Sequence, residues 1–250
     1  MLRLKRLAVF TVFVCCAVTA FLFWALPLSG AEARGAKPAP PRAAAKLDAL
    51  PPDSTSAVDI TPSADAQWLS RAAGQTGIPA RALQAYVAAA STANKTAPAC
   101  GIGWNTVAAI GLVESGHGTH GGGHLTAAGQ ASGPIIGPSL DGDGFAAIKD
   151  TDAGALDGDA RWDRAVGPMQ FIPSTWRYAG RDGNGDGKAD PFNIDDAALS
   201  AASYLCAHGH DLTTAAGWTE AIYSYNQSDA YIDRVRDQAT SYAKQAATAG

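Results

Sequence analysis

Trp104-Asn105-Thr106-Val107-Ala108-Ala109-Ile110-Gly111-Leu112-Val113-Glu114-Ser115-Gly116 is the stretch on which the reading of this chain turns. Val107, Ile110, Leu112 and Val113 recur at helical spacing, and a glycine follows the last of the run, so a helix is predicted over 104–115. One carboxylic acid ends it. Apolar neighbours disfavour a carboxylate, and so does the negative end of a helix dipole, so the pKa of Glu114 should be raised. A carboxyl that keeps its proton near neutrality is what a general acid requires. Taken alone, the simpler account is a solvated glutamate in a last helical turn. Glutamate is scarce, however: after Glu32 only Glu114 and Glu220 occur, against seventeen Asp in residues 61–250.

Helical patterns lie on both sides of this segment. Residues 62–73 begin with a proline and bring Trp68, Leu69 and Ala72 to one face; residues 79–93 begin with Pro79 and align Leu83, Tyr86, Val87 and Ala90. Segments 195–208, 217–227 and 228–246 read as three more helices, the first opened by the acidic pair Asp195-Asp196. Residues 116–165 are rich in Gly, Asp and Pro and lack periodicity. A stretch that long without regular structure inside a compact domain is usually functional. The expectation is a mainly α domain with a loop-built cleft and no internal repeat.

Hydrophobic residues make up 47% of the 250 and charged ones 17%, which excludes global disorder. Residues 61–250 carry twelve Lys/Arg against nineteen Asp/Glu, a net of −7, the wrong sign for a nucleic-acid binder. Positive charge gathers instead at the start. Arg3, Lys5 and Arg6 precede an apolar run from Leu7 to Leu26, and Ala31-Glu32-Ala33 offers small residues for cleavage. Residues 1–30 are thus expected to be a signal peptide or signal-anchor, with membrane attachment only if uncleaved. Either form places the remainder outside the cytoplasm, in the cell envelope or secreted. Residues 31–60, rich in Ala and Pro, read as a linker without a core, leaving 61–246 as the folded domain. Of four cysteines, only Cys100 and Cys206 belong to the exported part, and in an oxidising compartment a disulfide between them is favoured.

Further along stand Gly167-Pro168-Met169-Gln170-Phe171-Ile172-Pro173-Ser174-Thr175-Trp176, then Tyr225-Asn226-Gln227, with Tyr231 beyond. With the Glu-Ser-Gly turn, these motifs resemble the lytic transglycosylase B family of peptidoglycan-cleaving enzymes, of actinobacterial type, over about residues 78–245. The resemblance implies a lysozyme-like core. It implies Glu114 as the single catalytic acid/base, and Gln170, Tyr204, Tyr225, Asn226 and Tyr231 as residues lining the sugar cleft. The chain departs from the family in having Arg161 where a Ser stands nine residues before the Gln. The implied reaction protonates the oxygen between N-acetylmuramic acid and N-acetylglucosamine and closes a 1,6-anhydro ring. The expected partner is the peptidoglycan glycan strand, the expected state a monomer, and no organic cofactor is called for.

Asp182-Gly183-Asn184-Gly185-Asp186-Gly187-Lys188 sets side-chain oxygens at places 1, 3 and 5 of a loop, Gly at 6 and a carbonyl at 7, the first half of an EF-hand calcium loop. Asn193 stands at place 12, where an acid is normal. The family resemblance supplies a longer loop closed at place 15 by Asp196. The ligands it implies are Asp182, Asn184, Asp186, Lys188 (main chain) and Asp196, with Asp190 or Asp195 as further candidates, around a structural calcium ion. His117, His120 and His124 crowd a glycine-rich turn beside Glu114. They lack the helical spacing of a zinc peptidase and are expected at a solvated cleft rim. Besides the transglycosylase, two readings remain: a lysozyme-type hydrolase on the same fold, and a non-catalytic, calcium-stabilised wall-binding module.

Overall fold

A computed structural model describes residues 62–249. The expected export segment and linker lie outside the described residues. Within them seven α-helices carry nearly all regular structure: α1 Pro62–Thr76, α2 Ala80–Thr96, α3 Trp104–Ser115, α4 Pro173–Ala179, α5 Ile194–Leu205, α6 Ala215–Tyr225 and α7 Asp229–Ala246. Two short strands, β1 Ile136–Ser139 and β2 Arg164–Val166, pair antiparallel. The mainly α class expected from the sequence is the class observed, consistent with a lysozyme-like core.

Helix α3 is the central element. From Trp104 to Gly111 every residue is buried, which explains why its sequence is an apolar run instead of a one-sided stripe. Helix α2 lies against it and against α5, with Ala82, Leu83, Tyr86, Ala89, Ala90 and Ala93 forming its inner face. Alanines at 197, 198, 201 and 202 answer them from α5, and small side chains on both faces let two helices approach closely. Helix α7 covers another side of α3 and also carries α1. Trp68 of α1 meets Trp104 edge-on, ring centroids 5.6 Å apart.

Several boundaries differ from the sequence expectation for local reasons. Pro79 stands one place before α2, as its cap residue, and not inside its first turn. Asn193 caps α5 by accepting the Asp195 amide, so that helix begins at Ile194, and α6 ends at Tyr225 because Asn226 is extended. Helix α4, opened by Pro173 at its first turn, was not expected; seven residues are too few to display a helical period.

The stretch 116–165 is not irregular throughout, which corrects the sequence reading. Strand β1 falls inside it and pairs with β2 through a break in register between Ile136 and Ser139. Leu140, Ile148, Ala165 and Ile172 form a second small core, with Phe145 and Ala146 packed on it. Strand runs of three or four residues among glycines leave too short an alternation to read. The Cys100–Cys206 disulfide is formed, joining the approach to α3 with the end of α5. In the chain-entropy model a closed loop of about 100 residues gives up to about 4.7 kcal/mol.

Candidate active site at the end of the central helix

Glu114 emerges from the last turn of α3, half-buried, where the buried helix meets the surface. Tyr231, in the first turn of α7 and wholly buried, donates its hydroxyl to Glu114 Oε1 at 2.6 Å. Its place is set by Ser228, the N-cap of α7, whose side chain accepts the Tyr231 amide. Loss of water around the carboxyl pushes the Glu114 pKa up to about 7, against the opposing pull of the Tyr231 hydroxyl and of the Arg234 charge one turn further along α7. The direction of the shift agrees with the expectation from the sequence, with burial as its main cause. At neutral pH this group is poised between proton donor and acceptor.

The turn after Glu114 is tied to the Gln170 segment. Ser115, buried, donates its hydroxyl to the Pro168 carbonyl at 2.7 Å and accepts the Gly118 amide at 2.8 Å. Tyr225 donates to the Met169 carbonyl at 2.6 Å. The Gly167-Pro168-Met169-Gln170 turn is thus held from α3 and α6 together. Gly167 has φ +77, and a Cβ there would overlap the Pro191 carbonyl, so glycine is required. Gln170 itself has φ +49, uncommon for a residue with a side chain. Its Nε2 donates to the Gly167 carbonyl at 2.9 Å and the residue is buried.

The structure therefore brings Glu114, Tyr231, Tyr225 and Gln170 to one end of the α3–α7 pair. Four of the expected cleft residues have polar tips bonded to protein atoms: Tyr231 to the acid, Tyr225 and Tyr204 to main-chain carbonyls, Gln170 within its own turn. Tyr204, half-buried on α5, donates to the Ser224 carbonyl at 3.1 Å and meets the Tyr225 ring edge-on at 5.9 Å. Asn226 is fully buried, and neither its amide oxygen nor its nitrogen meets a protein partner among the described residues. A buried amide left so carries a penalty of about 1–3 kcal/mol. Arg161, the departure from the family pattern, is exposed.

The expected calcium loop folds as a chain of Asx turns. Asp182 accepts the Gly185 and Gly187 amides, Asn184 that of Asp186, and Asp186 that of Lys188. Asp196, wholly buried at the start of α5, reaches into the loop and accepts the amides of Gly183, Asn184 and Asp190. Burial nevertheless holds its pKa above the usual carboxylate range, with the Asp182 charge adding to the shift. An all-oxygen set that includes a buried carboxylate, its pKa still raised in spite of three amide donors, suits a hard cation. The two further candidates are committed elsewhere: Asp195 pairs with Arg81, and Asp190 accepts from Gln130 and from the Phe192 amide. Among the described residues, a group of three acidic side chains with oxygens within 4.8 Å of one another is formed by Asp150, Asp152 and Asp163.

Of the three histidines, His120 and His124 are exposed as expected, but His117 is not. It is buried, with both ring nitrogens on tyrosine hydroxyls, which corrects its assignment to a solvated rim. Nothing in the spacing of the sequence pairs Tyr86 or Tyr242 with it.

Residues 144–220 match the family described as the transglycosylase SLT domain. No curated protein and no solved structure matches the chain. The matched stretch takes in the Gln170 turn, the loop from Asp182 to Asp196 and Tyr204. It begins after Glu114 and ends before Tyr225, Asn226 and Tyr231.

Proposed function

We propose that the protein is an exported lytic transglycosylase of the B family, acting on the glycan strands of peptidoglycan. The observation that carries the reading is a single glutamate whose pKa stands at about 7, hydrogen-bonded to one tyrosine and joined through Ser115 to a turn inside a transglycosylase SLT match. Protonated Glu114 donates to the oxygen bridging N-acetylmuramic acid and N-acetylglucosamine, and that bond breaks. The substrate's 2-acetamido group stabilises the developing cation, as in substrate-assisted glycosidases. Glu114, now a carboxylate, takes the proton of the muramyl 6-hydroxyl, whose oxygen closes the 1,6-anhydro ring. The acid is thereby reset and no water is consumed. Tyr231 keeps the carboxyl oriented through both steps, while Gln170, Tyr204, Tyr225 and Asn226 build the wall of the cleft.

A calcium ion, in this reading, is held by Asp182, Asn184, Asp186, the Lys188 carbonyl and Asp196. It supplies positive charge against three carboxylates and stiffens the passage from the Gln170 turn into α5. Mass spectrometry of digested sacculi tests the reaction. Anhydromuropeptides that vanish with Glu114→Gln support it. Reducing ends identify a lysozyme-type hydrolase, and intact glycan identifies a binding module.

A further inference from the structure

His117 is the third residue after Glu114, and the reaction above does not use it. Its backbone is left-handed, φ 63, and its amide returns to the Gly111 carbonyl at 2.9 Å, folding the turn back on α3. Such a conformation is unfavourable for a residue with a Cβ and persists only where its surroundings fix it. Here they do. Nδ1 lies 3.1 Å from the Tyr86 hydroxyl on α2, and Nε2 lies 2.8 Å from the Tyr242 hydroxyl on α7. Gly111 makes the first contact possible, because a Cβ there would overlap the Tyr86 hydroxyl. A neutral imidazole offers one donor and one acceptor, so it can join two hydroxyls, each able to play either part. Burial keeps the ring neutral by pushing its pKa down to about 4.

Tyr242 follows Tyr231 by eleven residues, about three helical turns, so both lie on one face of α7. Helix α7 thus grips the end of α3 twice, by Tyr231 on the acid and by Tyr242 on His117. We infer that His117 is the positioning residue of the acid: fastened between α2 and α7, it holds the last turn of α3 so that the Glu114 carboxyl stays against Tyr231 and out of water. The inference rests on the reading of Glu114 given above, but the two can fail separately.

The test is a carbon-detected pH titration of protein labelled at its glutamate carboxyls. Only Glu32, Glu114 and Glu220 contribute, and Glu114→Gln identifies the signal. In His117→Phe the Glu114 midpoint is expected to fall by at least about half a unit, as water reaches the carboxyl. With glycan, kcat should drop about tenfold to a hundredfold with KM within about twofold, and His117→Gln should recover part of the loss. If the active enzyme carries the change folded, with either the midpoint or kcat unmoved, His117 is packing alone and the inference is overturned. Should His117→Phe not fold, Tyr242→Phe removes a single oxygen and reads out the same two quantities. Wild type without glycan cleavage, but with a midpoint that moves in the variant, upholds the positioning role and refutes the proposed reaction.

Discussion

Two parts of this molecule hold carboxyl groups whose pKa burial raises, and they give them different partners. At the end of α3, Glu114 receives one hydroxyl, from Tyr231, and no backbone amide among its determining contacts; burial prevails and the proton stays on to about pH 7. At the start of α5, Asp196 is more deeply buried but is met by three amides, from Gly183, Asn184 and Asp190. A carboxyl given amide donors is a fastening for the chain around it; one given an apolar wall and a single adjustable donor is a reagent. Helix α5 links the two regions, since it begins beside Asp196 and ends at Cys206, bonded to Cys100 ahead of α3.

The contrast can be broken at either end. Glu114→Gln should remove glycan cleavage, with a loss of about 10²–10⁴-fold for the general-acid role alone. The fold should survive it, and above pH 7 should gain from it. The folded-state pKa of Glu114 is raised, so its contribution to stability is fully present below the unfolded value near 4.5 and is lost as pH rises through about 7. Thermal melting at pH 8 should therefore place the glutamine variant above wild type, while at pH 4 the two should coincide. Cutting the link comes next in size. Cys100→Ser with Cys206→Ser should lower stability by about 2–5 kcal/mol, measured by urea unfolding.

Chelation of calcium, or Asp196→Asn, should lower the melting temperature by several degrees with product chemistry unaltered; an unchanged melting curve on chelation removes the metal from the account. The smallest effect sharpens the comparison. Tyr231→Phe deletes the hydroxyl that pulls the Glu114 pKa down, so the pH–rate profile should move to higher pH. A profile moving to lower pH would mean that Tyr231 serves instead to exclude water.

The sequence made some of this legible and hid the rest for physical reasons. Periodicity gave six helices because each is long enough to show a buried face, and the missed one, α4, spans two turns. The pairing of Cys100 with Cys206 followed from compartment and count. The position of Glu114 at the foot of an apolar helix was readable because burial follows local composition. What held its carboxyl was not, since Tyr231 is 117 residues away and only packing brings α7 to α3. His117 shows the same limit more sharply. A glycine-rich neighbourhood suggested a solvated turn, yet tyrosines from α2 and α7 close over the ring. Asp150, Asp152 and Asp163 likewise converge only once Lys149 and Trp162 are paired in an isolated antiparallel bridge.

The most direct measurement is the titration of the Glu114 carboxyl itself, followed by carbon resonance in folded wild-type protein. The account predicts a midpoint near 7, and a midpoint near that of an ordinary exposed glutamate, about 4.3, would contradict it.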